Sequence, residues 1–128
     1  MRALLARIDA RAPAWETELL GVELQGAELF HFQVGPTLAA TGAAGGVLRV
    51  RAGVTFPIHS HHGHEVTFVL EGLYVTDDGH AHGPGSILEM PADTTHAYRA
   101  GPPRDLVLMV LHHGITMLND PPPTNSAK

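Results

Sequence analysis

The sequence contains no cysteine. That excludes disulfides, thiolate-held zinc or iron–sulfur centres and a thiol nucleophile, and it leaves the redox compartment open. Positive charge is scarce too: eight Lys and Arg stand against 13 Asp and Glu, for a net charge of −5. This balance carries no basic footprint, so nucleic acid is not an expected partner. No apolar run is long enough to cross a bilayer. The opening residues, MRALLARIDARAPAW, are too short in their apolar part and too rich in Arg and Asp for a secretory signal. The expectation is a cytoplasmic protein with no membrane partner.

What is present fits one globular domain: 128 residues, 44% of them apolar and 16% charged. Residues 2–11 have a short helical pattern, with Leu4, Leu5 and Ile8 on one side and Pro13 as a stop. Beyond it, Leu29, His31 and Gln33 alternate with Phe30, Phe32 and Val34 as in a half-buried strand, which puts His31 on its polar face. The small residues PTLAATGAAGG read as a loop. From Gly46 onward come short β segments, VLRVRAG, EVTFVLEG, LYVTDDGHAHGPGS, ILEMPAD, THAYRAG and DLVLMVLHHG. Asp78-Gly79 is a hairpin signal. Pro57, Pro84, Pro91, Pro102 and Pro103 are expected between segments, where a missing N–H does least harm.

The pattern predicts an all-β sandwich or small barrel. The expected boundaries are an N-terminal arm at 1–15, a barrel at 16–119 and a disordered tail at 120–128, DPPPTNSAK preceding the end. Leu106 to Leu111 is apolar on both faces, as in a strand held between layers or at a subunit contact; with LFHFQV it suggests a homodimer.

Histidine is the oddity, at ten residues. In an extended PIHSH, His59 and His61 share one face and His62 points away. Glu65 then opens the next strand and can swing back beside them across a hairpin. Two imidazoles and a carboxylate suit a divalent first-row metal. On these residues alone, a solvated histidine-rich turn remains the alternative.

Gly53-x5-His59-x-His61-x3-Glu65-x6-Gly72 resembles the first signature of the cupin superfamily, and Gly85-x5-Pro91-x-Asp93-x2-His96 resembles the second. Asp93 stands where the family usually has glycine, a tolerable exchange because aspartate accepts positive φ. Ala100 stands where the family ends its motif in asparagine. The resemblance implies a double-stranded β-helix (jelly-roll barrel) with a metal held by His59, His61, Glu65 and His96. A narrower resemblance, through VLEGLYVTDDGHAHGPGSILEMPADTTHA and DLVLMVLHHGITMLND, is to single-domain cupins similar to dihydroxyacetophenone dioxygenase and to ChrR-type anti-sigma cupins.

The remaining histidines read mostly as surface. His62 and His64 are turn residues, with His64 also a candidate to orient Glu65. His80 and His82 are expected exposed in their hairpin. At the end of the last long strand, His112 and His113 alternate, so one faces inward, where it could act as an acid or base. Tyr98, two residues past His96, is a candidate to reach substrate; Arg49, Arg51 and Arg99 are surface residues or captors of an anion.

Three neutral imidazoles and one carboxylate around a divalent cation leave a charge of about +1, suited to an enolate or carboxylate ligand. The expected function is a metal-dependent cupin enzyme, a dioxygenase cleaving C–C bonds of a small diketone or hydroxyaryl ketone. Fe(II) is the first choice of metal, with Zn, Mn, Ni or Cu as alternatives. Glu65 serves as ligand and as base in turnover, and Tyr98 as its catalytic companion. The alternatives are a metal-binding sensory module without turnover and a non-oxidative lyase or isomerase. ChrR-type proteins carry a separate sigma-binding helical domain, and only about a dozen residues here have a helical pattern, which weighs against the sensory alternative.

Overall fold

The structure, a computed structural model, describes residues 15–118. The expected helical arm and the expected tail lie outside the described residues, except for Trp15.

A small ribbon, β1 (Glu18–Leu19) and β2 (Val22–Glu23), leads into β3 (Ala27–Phe32). A four-residue helix, α1 (Pro36–Ala39), separates β3 from β4 (Ala44–Val50). Then follow β5 (Thr55–His61), β6 (Glu65–Glu71), β7 (Leu73–Val75), β8 (Ala81–His82), β9 (Ile87–Met90), β10 (Thr95–Gly101), β11 (Leu106–His112) and β12 (Ile115–Met117). They form two five-stranded antiparallel sheets, in the orders β3-β4-β11-β6-β9 and β12-β5-β10-β7-β8. This is the double-stranded β-helix that the sequence signatures imply.

Alternation assigns the faces. Leu29, Leu48, Val50, Val69, Leu106 and Leu108 from the first sheet meet Phe56, Tyr74, Tyr98 and Ala100 from the second, and this layer is the main core. The first sheet is apolar on its other face as well. There Phe30, Val47, Leu70 and Val107 are buried, with Trp15, Phe32, Phe68 and Met109 packed against them. β11 is the middle strand of that sheet, which accounts for the two-faced run Leu106 to Leu111.

Several expectations need correction. The small-residue loop is shorter than its composition suggests: Pro36 starts α1 and Ala44 to Gly46 already belong to β4. Glycines that disfavour a strand in isolation are held there by pairing with Phe32 and His31 on one side and Leu111 and Val110 on the other. Pro57 lies inside β5 rather than between segments. Opposite it, His96 pairs with His59 and Tyr98 with Phe56, so Pro57 and Ile58 together face Ala97. A bulge of this kind leaves a residue unpaired, and a proline without an N–H is tolerated there. Finally, β5 and β6 belong to different sheets, so residues 62–64 form a corner between sheets and not a hairpin.

Two glycines separate a backbone requirement from a packing one. Gly72 and Gly79 have φ of +83° and +87°, in the left-handed region. A Cβ on Gly79 meets nothing within 4 Å, whereas one on Gly72 falls 2.3 Å from the Asp105 carbonyl oxygen. Gly79→Ala is expected to cost about 1 kcal/mol, the conformational term alone, and Gly72→Ala at least about 3 kcal/mol. Urea unfolding midpoints check the order; equal losses at the two positions contradict it.

Candidate metal centre

β5 carries His59 and His61 on its inward face, two residues apart, and its neighbour β10 brings His96 into register opposite His59. The chain then crosses to the other sheet at residues 62–64, and Glu65 enters as the first residue of β6. One sheet thus supplies three imidazoles and the other a carboxylate. The ring centroids of His59, His61 and His96 lie 4.6–5.0 Å apart. One ligand atom from each of the four residues falls within 4.8 Å of every other, so the group can hold a metal ion.

Each imidazole is anchored by Nδ1. The His59 Nδ1–H donates to the Pro57 carbonyl at 2.9 Å, so the bulge that admits the proline also presents an acceptor. His61 Nδ1–H donates to Thr94 Oγ1 at 3.0 Å, and that hydroxyl donates onward to the Pro91 carbonyl at 2.7 Å. His96 Nδ1 stands 3.5 Å from the Tyr74 hydroxyl. For His59 and His61 these acceptors assign the proton to Nδ1 and leave Nε2 as the free lone pair. The Nε2 atoms of His61 and His96 are buried and make no hydrogen bond. Nε2 of His61 approaches a Glu65 oxygen at 3.2 Å, while the other carboxylate oxygen accepts from the Thr67 hydroxyl at 3.3 Å. Buried nitrogens left unpaired and converging on one carboxylate are costly without a cation between them. The donor set, three imidazoles and a carboxylate without thiolate, fits a divalent first-row metal.

Burial tunes the same groups. It holds His59 down to about 4 and His96 to about 3, the latter with help from the neighbouring His59 and His61. Both rings are therefore neutral and ready to ligate at physiological pH. Burial pushes the Glu65 carboxyl up, against the opposing pull of His61 and Thr67. Tyr98 is buried, stacked between Phe56 and Tyr74, and its hydroxyl is held protonated by desolvation.

A cavity of about 60 Å³ opens beside this cluster, bounded by His59, Glu65 and Tyr98 and otherwise largely apolar. That is room for on the order of five water-sized groups. His31 and His112 also line it. His31 therefore does not sit on an outward polar face: it continues the inward row of Leu29, although the open rim leaves it exposed. His112 continues the inward row of Leu106, Leu108 and Val110, and the alternation in DLVLMVLHHG was the signal for it.

The other histidines stay off the site. His62 bonds to Thr116, and His64 pairs with Glu89 at the surface instead of orienting Glu65. His113 donates to the His64 carbonyl. His80 is exposed in its turn, while His82 is half-buried with its edge toward Tyr74. Arg51 is engaged by Glu28 and Asp105, and Arg49 lies over Trp15 on the outer face; neither lines the cavity as an anion captor.

A double-stranded β-helix with three imidazoles and one carboxylate converging at one end defines a cupin of the metal-site type. More narrowly, the chain belongs to the family described as the ChrR cupin-like domain, whose profile matches residues 24–116. No curated protein matches the chain by sequence. Among solved structures it is similar to an acetylacetone dioxygenase from Acinetobacter johnsonii, at 15% identity and a TM-score of 0.67, over 84% of this chain and 74% of that one. It is similar to the Rhodobacter sphaeroides SigE complex with the anti-sigma ChrR, at 23% identity and 0.62, over 77% of this chain and 47% of that one. A DMSP lyase from Ruegeria pomeroyi matches at 24% identity and 0.65, over 88% of this chain and 64% of that one. The chain thus spans about half and just under two thirds of the latter two chains. At such identities the likeness is one of fold.

The depressed histidines set the pH response of the metal-free protein. Unfolded, His59 and His96 titrate near 6.5, and folded near 4 and 3, so the unfolded chain takes up more protons as pH falls. Their contribution to stability is fully present above pH 6.5 and is lost on acidification toward pH 4, with about 3 kcal/mol from His59 alone. Glu65, raised in the folded state, acts in the opposite direction, one group against three histidines, since His112 is lowered by burial as well. Urea midpoints of metal-free protein should fall between pH 6.5 and 4, and a midpoint that rises over this range contradicts the assignment.

Proposed function

We propose that the protein is a metal-dependent cupin enzyme, a mononuclear dioxygenase that cleaves a C–C bond of a small oxygenated substrate. The observation that carries this reading is the set of buried, unpaired Nε2 atoms aimed with Glu65 at one point beside a small apolar cavity. His59, His61 and His96 hold the metal through Nε2, and Glu65 through its carboxylate. When bound, the metal supplies Lewis-acid chemistry and, as Fe(II), the means to engage O2; Zn, Mn, Ni and Cu suit the same donors. Glu65, whose carboxylate borders the cavity, is placed to take a proton from an acidic C–H of the substrate. Tyr98 keeps its proton and so acts as a hydrogen-bond donor and not as a base. The apolar walls keep water from the reacting atoms. The small, largely apolar cavity suits a small oxygenated organic substrate such as a short diketone.

Elemental analysis of protein purified without added metal, followed by O2 uptake with pentane-2,4-dione, tests this. The expected result is one transition metal per chain and uptake that depends on the dione; His61→Ala should abolish both. Protein with no transition metal and no affinity for Fe or Zn would sink the reading.

The family description and the likeness to the ChrR complex favour a second reading, a metal-binding sensory module without turnover. It predicts stoichiometric metal with no O2 uptake and no product from any diketone. The likeness to a lyase keeps a non-oxidative reaction as a variant of the first reading, seen as product formed without O2. A cytoplasmic homodimer is part of the same proposal, supported by the half-buried Phe32, Phe68 and Met109 on the outer sheet face. Sedimentation at micromolar concentration should give twice the chain mass, and a monomer overturns that part.

A further inference from the structure

We infer that His112 is a substrate-orienting residue, whose Nε2–H donates a hydrogen bond to an oxygen of a short, doubly oxygenated ligand held in the cavity beside the metal ligands. The assignment rests on the metal-site reading and names the second polar contact of that site.

Strand register places His112. On β11 the inward row runs Leu106, Leu108, Val110 and then His112, the last residue of the strand. Val110 pairs with Thr67 and Leu111 with Val66 on β6, so one step further His112 comes level with Glu65. Both line the same cavity. On the other side β4 offers Gly46, which pairs with both Val110 and His31 and lines the cavity. His112 thus enters the cavity beside Glu65, with Leu48, Phe56, Val110 and Ile115 also lining it.

The bonding of His112 decides its polarity. Its Nδ1 accepts the Gly114 backbone N–H at 3.1 Å, so Nδ1 carries no proton. A neutral ring then carries its proton on Nε2. A charged ring would set one N–H against another, and the half-buried position beside His31 and His113 disfavours the charge independently. Among the described residues His112 Nε2 makes no hydrogen bond. A neutral donor in a largely apolar wall matches a carbonyl oxygen, and a ligand with two oxygens, such as a 1,3-diketone, offers one to the metal site and one to this donor.

The test uses protein loaded with Zn(II), which binds the ligand without consuming it, titrated calorimetrically with pentane-2,4-dione. Zinc content is measured in each sample. In His112→Asn the side-chain oxygen can still accept from Gly114, but no donor reaches the Nε2 position; affinity should fall about 3- to 10-fold, the loss of one neutral hydrogen bond. In His112→Gln the longer amide restores a donor there, and affinity should return to within about 2-fold of wild type. All three proteins should hold one zinc per chain.

Unchanged affinity in His112→Asn at full zinc content overturns the assignment and leaves the metal site standing. Equal losses in both variants also overturn it, because they assign His112 to the strand end and not to the ligand. Wild-type protein that takes up no zinc overturns the metal-site reading, and this assignment with it.

Discussion

A buried imidazole can aim one nitrogen at a shared point only if the protein answers the other nitrogen. Much of this barrel's local irregularity follows from that requirement. His59 is answered by the Pro57 carbonyl, which a bulge in β5 turns toward the ring. His61 is answered by Thr94, and the turn that carries Thr94 bends through Asp93 at φ +66°. His96 is backed by Tyr74, the end member of the stack Phe56, Tyr98 and Tyr74. A proline inside a strand, an aspartate in the left-handed region and a buried tyrosine beside a polar site would each be a defect elsewhere. Here each supports one ring.

The two sheets divide the work. One places three imidazoles through a paired register, His59 against His96, with His61 two residues along the same face. The other contributes the single carboxylate, which reaches them because the chain changes sheet just before it. The three imidazoles are neighbours in one ladder, and the carboxylate meets them from across the gap between sheets. The same gap, narrowed by the aromatic stack and left open beside Gly46, forms the cavity.

Polarity in that cavity is sparse and directional. Glu65 is made more basic by burial, Tyr98 keeps its proton for the same reason, and His112 has its tautomer set by one backbone N–H. Desolvation thus acts on all three groups and disfavours the charged form of each.

The spacing His59-x-His61-x3-Glu65, followed at a distance by His96, was enough to identify the fold and the four converging side chains, because period-two alternation and two glycine-bounded motifs are local properties. The positive φ of Asp93 was legible for the same reason. Other features depended on pairing partners far along the chain. Pro57 reads as a break until β10 supplies the residue opposite its bulge, and Ala44 to Gly46 read as a loop until β3 and β11 flank them. His31 reads as surface until the rim of the cavity forms around it, and of the adjacent His112 and His113 only the register of β11 decides which one faces inward. The sequence by itself determined which residues could bind and on which strand faces they lie. The tertiary structure alone decided what surrounds the four ligands, His31 and His112 included, because side-chain direction follows a two-residue rule while proximity depends on sheet order and the corner between sheets.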